Sequence, residues 1–134
     1  MTDAAAPASP LTLVETFELT APVPEFREAA AAFFRRVEVD GLAGVRTVQF
    51  YVSPEAGEAY LIIALSSADV FDRHIDFINS LDELESYART VRLKQFKAFG
   101  ELNPDTAADL RAADISFEWV SEHVTGFDRD ADCP

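Results

Sequence analysis

Two side chains in this 134-residue chain stand where acid–base chemistry would need them. Glu15 belongs to an alternating stretch and shares its register with Leu11, Leu13, Phe17 and Leu19. A lone carboxylate on an apolar face is costly unless it is paired or protonated. In a cavity such a group can act as a base or as a hydrogen-bond partner for a ligand. A local bulge, or a salt bridge to Arg46 or Arg73, would account for it equally well. His74 follows Phe71 by three residues and precedes Ile78 by four, which puts it on the apolar side of a helix. A neutral imidazole at a cavity wall can take a proton from a phenol or quinol, or ligate a haem iron. The packing alternative is a core histidine satisfied by a carbonyl or carboxylate.

Around these two lie aromatics that can line a pocket or an interface. Phe17 and Phe71 accompany Glu15 and His74 on their respective elements. Tyr51 and Tyr60 fall on neighbouring strands, where packing at an interface with hydroxyls reaching water is the simpler role. Phe117, Trp119 and His123 share a register near the C-terminus and are likewise read as interface aromatics. No Gly-rich phosphate loop, Cys/His metal spacing or G-x-S-x-G elbow occurs. The expectation is therefore a site with no metal and no organic cofactor.

The elements that must hold these residues follow from periodicity. Leu11–Leu19 alternates as a strand. From Glu25 the period becomes helical, with Phe26, Ala29, Ala30, Phe33, Phe34 and Val37 forming one stripe and Asp40-Gly41 ending it. Pro24 suits the first turn of that helix. Val45–Val52 and Glu58–Leu65 read as two strands joined by the turn-rich Ser53-Pro-Glu-Ala-Gly57. Ser66 or Ser67 can cap a second helix carrying Val70, Phe71, His74, Ile75 and Ile78. Ser80-Leu-Asp-Glu83 has the form of a capping box and predicts a restart before Leu84, Tyr87 and Val91. Residues 92–102 read as a poorer strand. Asn103-Pro104 opens a short helix through Ala112, and a last strand runs from Ile115 toward Val124.

Composition bounds the function. The net charge of −13 opposes binding to nucleic acid, which needs Lys and Arg to displace counterions, and opposes anionic membrane surfaces. The longest apolar run, Tyr60–Leu65, is far shorter than the ~20 residues that span a bilayer. Cys133 is the one cysteine, which excludes an intrachain disulfide and suits a reducing cytoplasm. The expected organisation is a short disordered lead over residues 1–10, one α+β domain over 11–127, and an acidic tail over 128–134.

The order β-α-β-β-α-β makes an antiparallel sheet with both helices on one face. The uncovered face of such a sheet is ordinarily polar. Here the third strand is apolar on both registers, Leu61 and Ile63 on one and Tyr60, Ile62 and Ala64 on the other. The second strand offers Val48, Phe50 and Val52 on one side and Val45 and Tyr51 on the other. The C-terminal helix and strand can cover part of the exposed face, but a second copy packed face to face covers it completely. The expected partner is therefore the chain itself.

This pattern resembles the dimeric α/β-barrel superfamily, close to the antibiotic-biosynthesis-monooxygenase-like domains. The carrying features are the first strand, the Phe-rich helix, the hairpin closed by Pro54-Glu-Ala-Gly57, and the segment Ser67-Ala-Asp-Val-Phe-Asp-Arg-His74. The segments Phe99-Gly-Glu-Leu102 and Thr125-Gly-Phe127 add to them. The resemblance spans residues 11–127 and implies a ferredoxin-like sheet with an extra C-terminal helix and strand, paired into a dimeric α/β barrel. It also implies that a histidine at the position of His74 lines a pocket. Haem-degrading members combine an asparagine on the first strand, a tryptophan and a helix histidine. Only His74 has a counterpart here, so a haem is not expected. Two functions are consistent with all this. One is a cofactor-independent monooxygenase acting on a small phenolic or quinol-like substrate, with His74 or Glu15 removing a proton. The other is a non-catalytic domain of the same fold that binds a small aromatic ligand or a protein partner.

Overall fold

The computed structural model describes residues 10–127 and residue 129. The lead over 1–9, most of the acidic tail and Cys133 lie outside the described residues.

The chain forms β1 (Leu11–Leu19), α1 (Val23–Asp40), β2 (Val45–Ser53), β3 (Glu58–Leu65), α2 (Ala68–Asn79), α3 (Glu83–Ala88), β4 (Val91–Phe99), α4 (Pro104–Ala112) and β5 (Ser116–Val120). They build one five-stranded sheet of order β2-β3-β1-β4-β5. β1 runs antiparallel to both neighbours, β3 and β4, and β5 adds to the edge parallel to β4. The first four strands thus have the ferredoxin-like arrangement that the alternation and the two helices imply.

One face of the sheet meets the helices. Leu11, Leu13 and Phe17 of β1, Ala59, Leu61, Ile63 and Leu65 of β3, and Phe96 and Ala98 of β4 are buried there. α1 contributes Phe26, Ala30, Phe33 and Val37, the stripe read from its sequence. Ser67 caps α2 through the Val70 N–H at 3.3 Å. The helix then breaks at Ser80 as expected, but by another device than a capping box. The Ser80 hydroxyl donates to the Phe77 carbonyl at 2.6 Å, closing α2 instead of opening α3. Glu83 turns outward to accept from Arg36 on α1 at 3.1 Å.

Three strand assignments need correction, each for a pairing reason. Val45 belongs to the helix-facing layer and not the open one, because a bulge between Val45 and Thr47 shifts the register by one residue. β4 ends at Phe99, where Gly100 takes φ +120° and its N–H donates to the Val120 carbonyl at 2.9 Å. β5 therefore stops at Val120 and does not run toward Val124. Its single neighbour has ended, and beyond Val120 β4 offers no further backbone to pair with.

α4 and β5 do not cover the open face. α4 lies on the helix side, tied to α2 by Asn103 and Thr106, both of which donate to Asp72. β5 widens the sheet. The open face is consequently mixed: Val14, Tyr60, Ile62, Ala64 and Tyr51 lie among Thr12, Thr16, Gln49 and Gln95. Ion pairs rim it, Glu18–Arg92, Glu58–Lys94 at 2.9 Å and Glu118–Lys97 at 3.4 Å. Among the described residues no helix is long and apolar enough to cross a membrane.

Candidate functional site

β1 is the central strand, so what it points toward the helices enters the middle of the protein. Glu15 occupies that register, opposite Leu61 on β3 and Phe96 on β4. The bulge beside it displaces β4 after Thr16 and leaves Glu15 on the inner face. No arginine or lysine pairs with it among the described residues, so neither Arg46 nor Arg73 neutralises it. Burial alone raises its pKa from 4.5 to about 7. An acid in this state is divided between its two forms near neutral pH, the condition for giving and taking protons there.

Above Glu15 lies an aromatic layer. Tyr87 of α3 stacks on Phe33 at 4.9 Å and 13° and meets Phe17, Phe34 and Phe50 edge-on at 6.2, 5.7 and 6.0 Å. Its hydroxyl is buried and has no protein hydrogen-bond partner. Burial first, and then the charge of Glu15, push its ionisation well above the ordinary phenol range. Tyr87 therefore stays protonated throughout the range in which Glu15 titrates.

His74 is 3% exposed on the inner face of α2, one turn beyond Phe71, whose ring lies 6.0 Å from that of Phe96. Its Nδ1 has no protein hydrogen-bond partner, and burial lowers its pKa from 6.5. It is a neutral imidazole at neutral pH, but without the carbonyl or carboxylate that a packed core histidine ordinarily finds.

On the outside, a seam opens between α1 and the edge strand β2. A cleft of about 360 Å³ there is lined by Phe26, Ala30, Phe34, Val48, Phe50 and Val52. A second, more polar cleft of about 590 Å³ continues along the seam past Arg35 and Arg46. Neither is lined by Glu15 or His74. Phe34 and Phe50, 5.1 Å apart, stand between the apolar cleft and Tyr87.

The residues singled out from sequence thus separate into distinct places. Glu15, Phe17, Phe71 and His74 are inside, between sheet and helices. Tyr51, 56% exposed, and Tyr60 are on the open face, where the Tyr60 hydroxyl donates to Glu58 at 2.6 Å. Trp119 is at the far edge on the helix side, its Nε1 donating to the Gly100 carbonyl at 2.7 Å and its ring 5.4 Å from the Arg111 guanidinium. His123 is exposed beyond the end of β5. Phe117 packs inward at 6.1 Å from Phe96. Trp119 and His123 therefore do not share a strand register, since the strand ends between them. Tyr87, Phe34 and Phe50 were not singled out. The available signal was weak: Tyr87 occupies an ordinary apolar position of a short helix.

No protein-family model matches the chain, and no curated protein matches it in sequence. Solved structures do. MupZ from Pseudomonas fluorescens superposes with a TM-score of 0.66 at 16% identity, covering 93% of this chain and 98% of that one. That share is too large to omit α4 and β5. SnoaB from Streptomyces nogalater, described as a cofactor-independent oxygenase, superposes with a TM-score of 0.54 at 20% identity, covering 72% and 96%. The protein YjcS gives a TM-score of 0.56 at 9% identity, covering 70% and 99%. At these identities the likeness is one of fold. The fold is a ferredoxin-like sheet of the kind shared with MupZ, SnoaB and YjcS.

Proposed function

We propose that this protein is a cofactor-independent monooxygenase acting on a small phenolic or quinol-like substrate, and that it works as a homodimer. The observation that carries the reading is the carboxyl of Glu15, half-buried on the helix-facing register of the central strand, without an Arg or Lys partner among the described residues, and with its pKa raised to about 7 by desolvation. Between the two candidate bases, Glu15 is the better suited. Burial strengthens a carboxylate as a base and weakens an imidazole, and phenols are weak acids. His74 is left to orient or polarise the substrate as a neutral donor or acceptor.

The chemistry needs one proton acceptor and an apolar enclosure. Glu15 takes the phenolic proton, leaving an electron-rich phenolate. A ring carbon of the phenolate reduces dioxygen and forms a C–O bond to it, giving a hydroperoxide. Loss of that carbon's hydrogen as a proton, with cleavage of the O–O bond, leaves a quinone carbonyl. The second oxygen departs as water after taking up the two protons released. Phe17, Phe33, Phe34 and Phe50 would keep the intermediate away from bulk water.

SnoaB supports the reading by sharing the fold and being an oxygenase of this cofactor-independent kind. The homodimer is supported by the open face, where Val14, Tyr51 and Ile62 are joined by Phe99 and Val120, 39% and 44% exposed. A partner sheet packed there would complete the dimeric barrel. The experiment is oxygen uptake by metal-free protein across a panel of hydroquinones, naphthols and polyphenols. Uptake with at least one substrate is expected, reduced a hundredfold or more in folded Glu15→Gln. Absence of uptake across the panel overturns the reading. It would favour a non-catalytic ligand-binding domain, for which the one specific observation is that Phe34 and Phe50 close the seam above the interior.

A further inference from the structure

We infer that Tyr87 is a second substrate-contacting group, whose phenolic O–H donates a hydrogen bond to the oxygen that Glu15 deprotonates. The inference rests on the proposed function and adds the group that stabilises the anion it forms.

Everything about Tyr87 except its hydroxyl is explained by packing. Four phenylalanine rings surround the side chain, one stacked and three edge-on. The backbone is held as well: its carbonyl accepts from the Thr90 hydroxyl at 2.7 Å and from the Thr90 N–H at 3.0 Å. A phenylalanine would make the same ring contacts. The oxygen is the addition, and it is buried with no protein partner, an arrangement that folded proteins ordinarily avoid. Its neighbourhood holds a second polar group, since Phe17, which meets the Tyr87 ring edge-on at 6.2 Å, follows Glu15 on the inner register of β1.

The two groups have complementary chemistry. Glu15 exchanges protons near neutrality, whereas Tyr87 remains an O–H donor throughout that range. A substrate hydroxyl between them would lose its proton to the carboxylate and keep a hydrogen bond from the phenol. Such a donor counts most when the acceptor becomes an anion, because hydrogen bonds to charged oxygens are about twice as strong as neutral ones.

The test isolates donation from proton transfer with a probe that can only accept. At pH 8.5, under nitrogen, the full-length protein is titrated with 2-methoxynaphthalene and with 2-methylnaphthalene, and binding is followed by probe fluorescence. At that pH Glu15 is ionised and cannot donate. The wild type should favour the ether over the hydrocarbon at least fivefold more than Tyr87→Phe does. An equal preference in the two proteins overturns the inference, as does failure of the wild type to bind either probe up to saturation. Should Tyr87→Phe not fold, the wild type alone decides: no preference for the ether beyond the ratio of octanol–water partition overturns it. Oxygen plays no part here, so absent turnover with intact probe discrimination removes the monooxygenase reading and leaves the Tyr87 contact standing.

Discussion

Replacing Glu15 by glutamine should make the protein more stable at alkaline pH and leave it nearly unchanged in acid. The sign follows from linkage. Below the unfolded value of 4.5 the carboxyl is protonated in both states and contributes nothing. Between 4.5 and about 7 the unfolded chain releases a proton that the folded protein keeps, so stability falls as pH rises. Above 7 the full cost of ionising this half-buried carboxyl is present. At ~1.4 kcal/mol per pH unit, the displacement from 4.5 to about 7 corresponds to ~3 kcal/mol. Glutamine does not titrate and carries no such dependence. Its amide brings a burial cost of its own, so the informative quantity is the change with pH in the difference between variant and wild type. Urea denaturation at pH 4, 6 and 8.5 should show that difference moving by ~3 kcal/mol in favour of the variant, or on the order of 10 °C in Tm for a domain of this size. The titration of His74 is common to both proteins and cancels. Parallel stability curves across the range would refute the reasoning, because they would mean that Glu15 ionises as freely in the folded protein as in the unfolded chain.

Two further outcomes test the open face and the edge of the sheet. Ile62→Glu places a charge between Val14 and Gln49 on the uncovered face without touching the inner core. Light scattering at micromolar concentration should fall from twice 14.8 kDa to 14.8 kDa with far-ultraviolet circular dichroism unchanged, and a monomeric wild type would end the dimer argument. Gly100→Ala should lower stability by at least ~2 kcal/mol in thermal melts, since φ is +120° and an added Cβ would lie 2.6 Å from the Pro10 carbonyl oxygen. An unchanged melt would mean that the turn after β4 relaxes without cost.

Much of the fold was legible because spacing alone decides it. The stripe of α1, the alternation of β3 and the Asn103-Pro104 start of α4 each fix an element without reference to the others. What could not be read depends on partners. Whether Val45 faces in or out turns on a bulge defined only by the pairing of β2 with β3. Where β5 stops turns on where β4 does. The site shows the same division. Glu15 was visible as an acid in an apolar register, a property of one strand. Phe34 sits on a helix stripe and Phe50 on a strand register, and nothing in either spacing says that they meet Tyr87 across two layers. Asn103 holds the N-cap position of α4, but its side chain bridges Asp69 at 2.9 Å and Asp72 at 2.6 Å, a choice made by the neighbouring helix.

The interior of this protein departs from the rule that folds so much of the chain. Among the described residues, His74 Nδ1 and the Tyr87 hydroxyl are buried among apolar side chains with no protein partner, and the half-buried Glu15 carboxyl shares that layer without an Arg or Lys partner. The ionised Glu15 costs ~3 kcal/mol at alkaline pH, and an unsatisfied buried hydroxyl or ring nitrogen costs about 1–3 kcal/mol each. Net stabilities of domains are about 5–15 kcal/mol, so together these groups consume a large share of what this one can have. Leucine at 15 and phenylalanine at 74 and 87 would satisfy the same registers without that cost. Three such groups directed into one sheet–helix layer are therefore poorly explained by packing. Under the proposed function, a substrate hydroxyl held by Glu15 and Tyr87 would recover part of that cost as affinity.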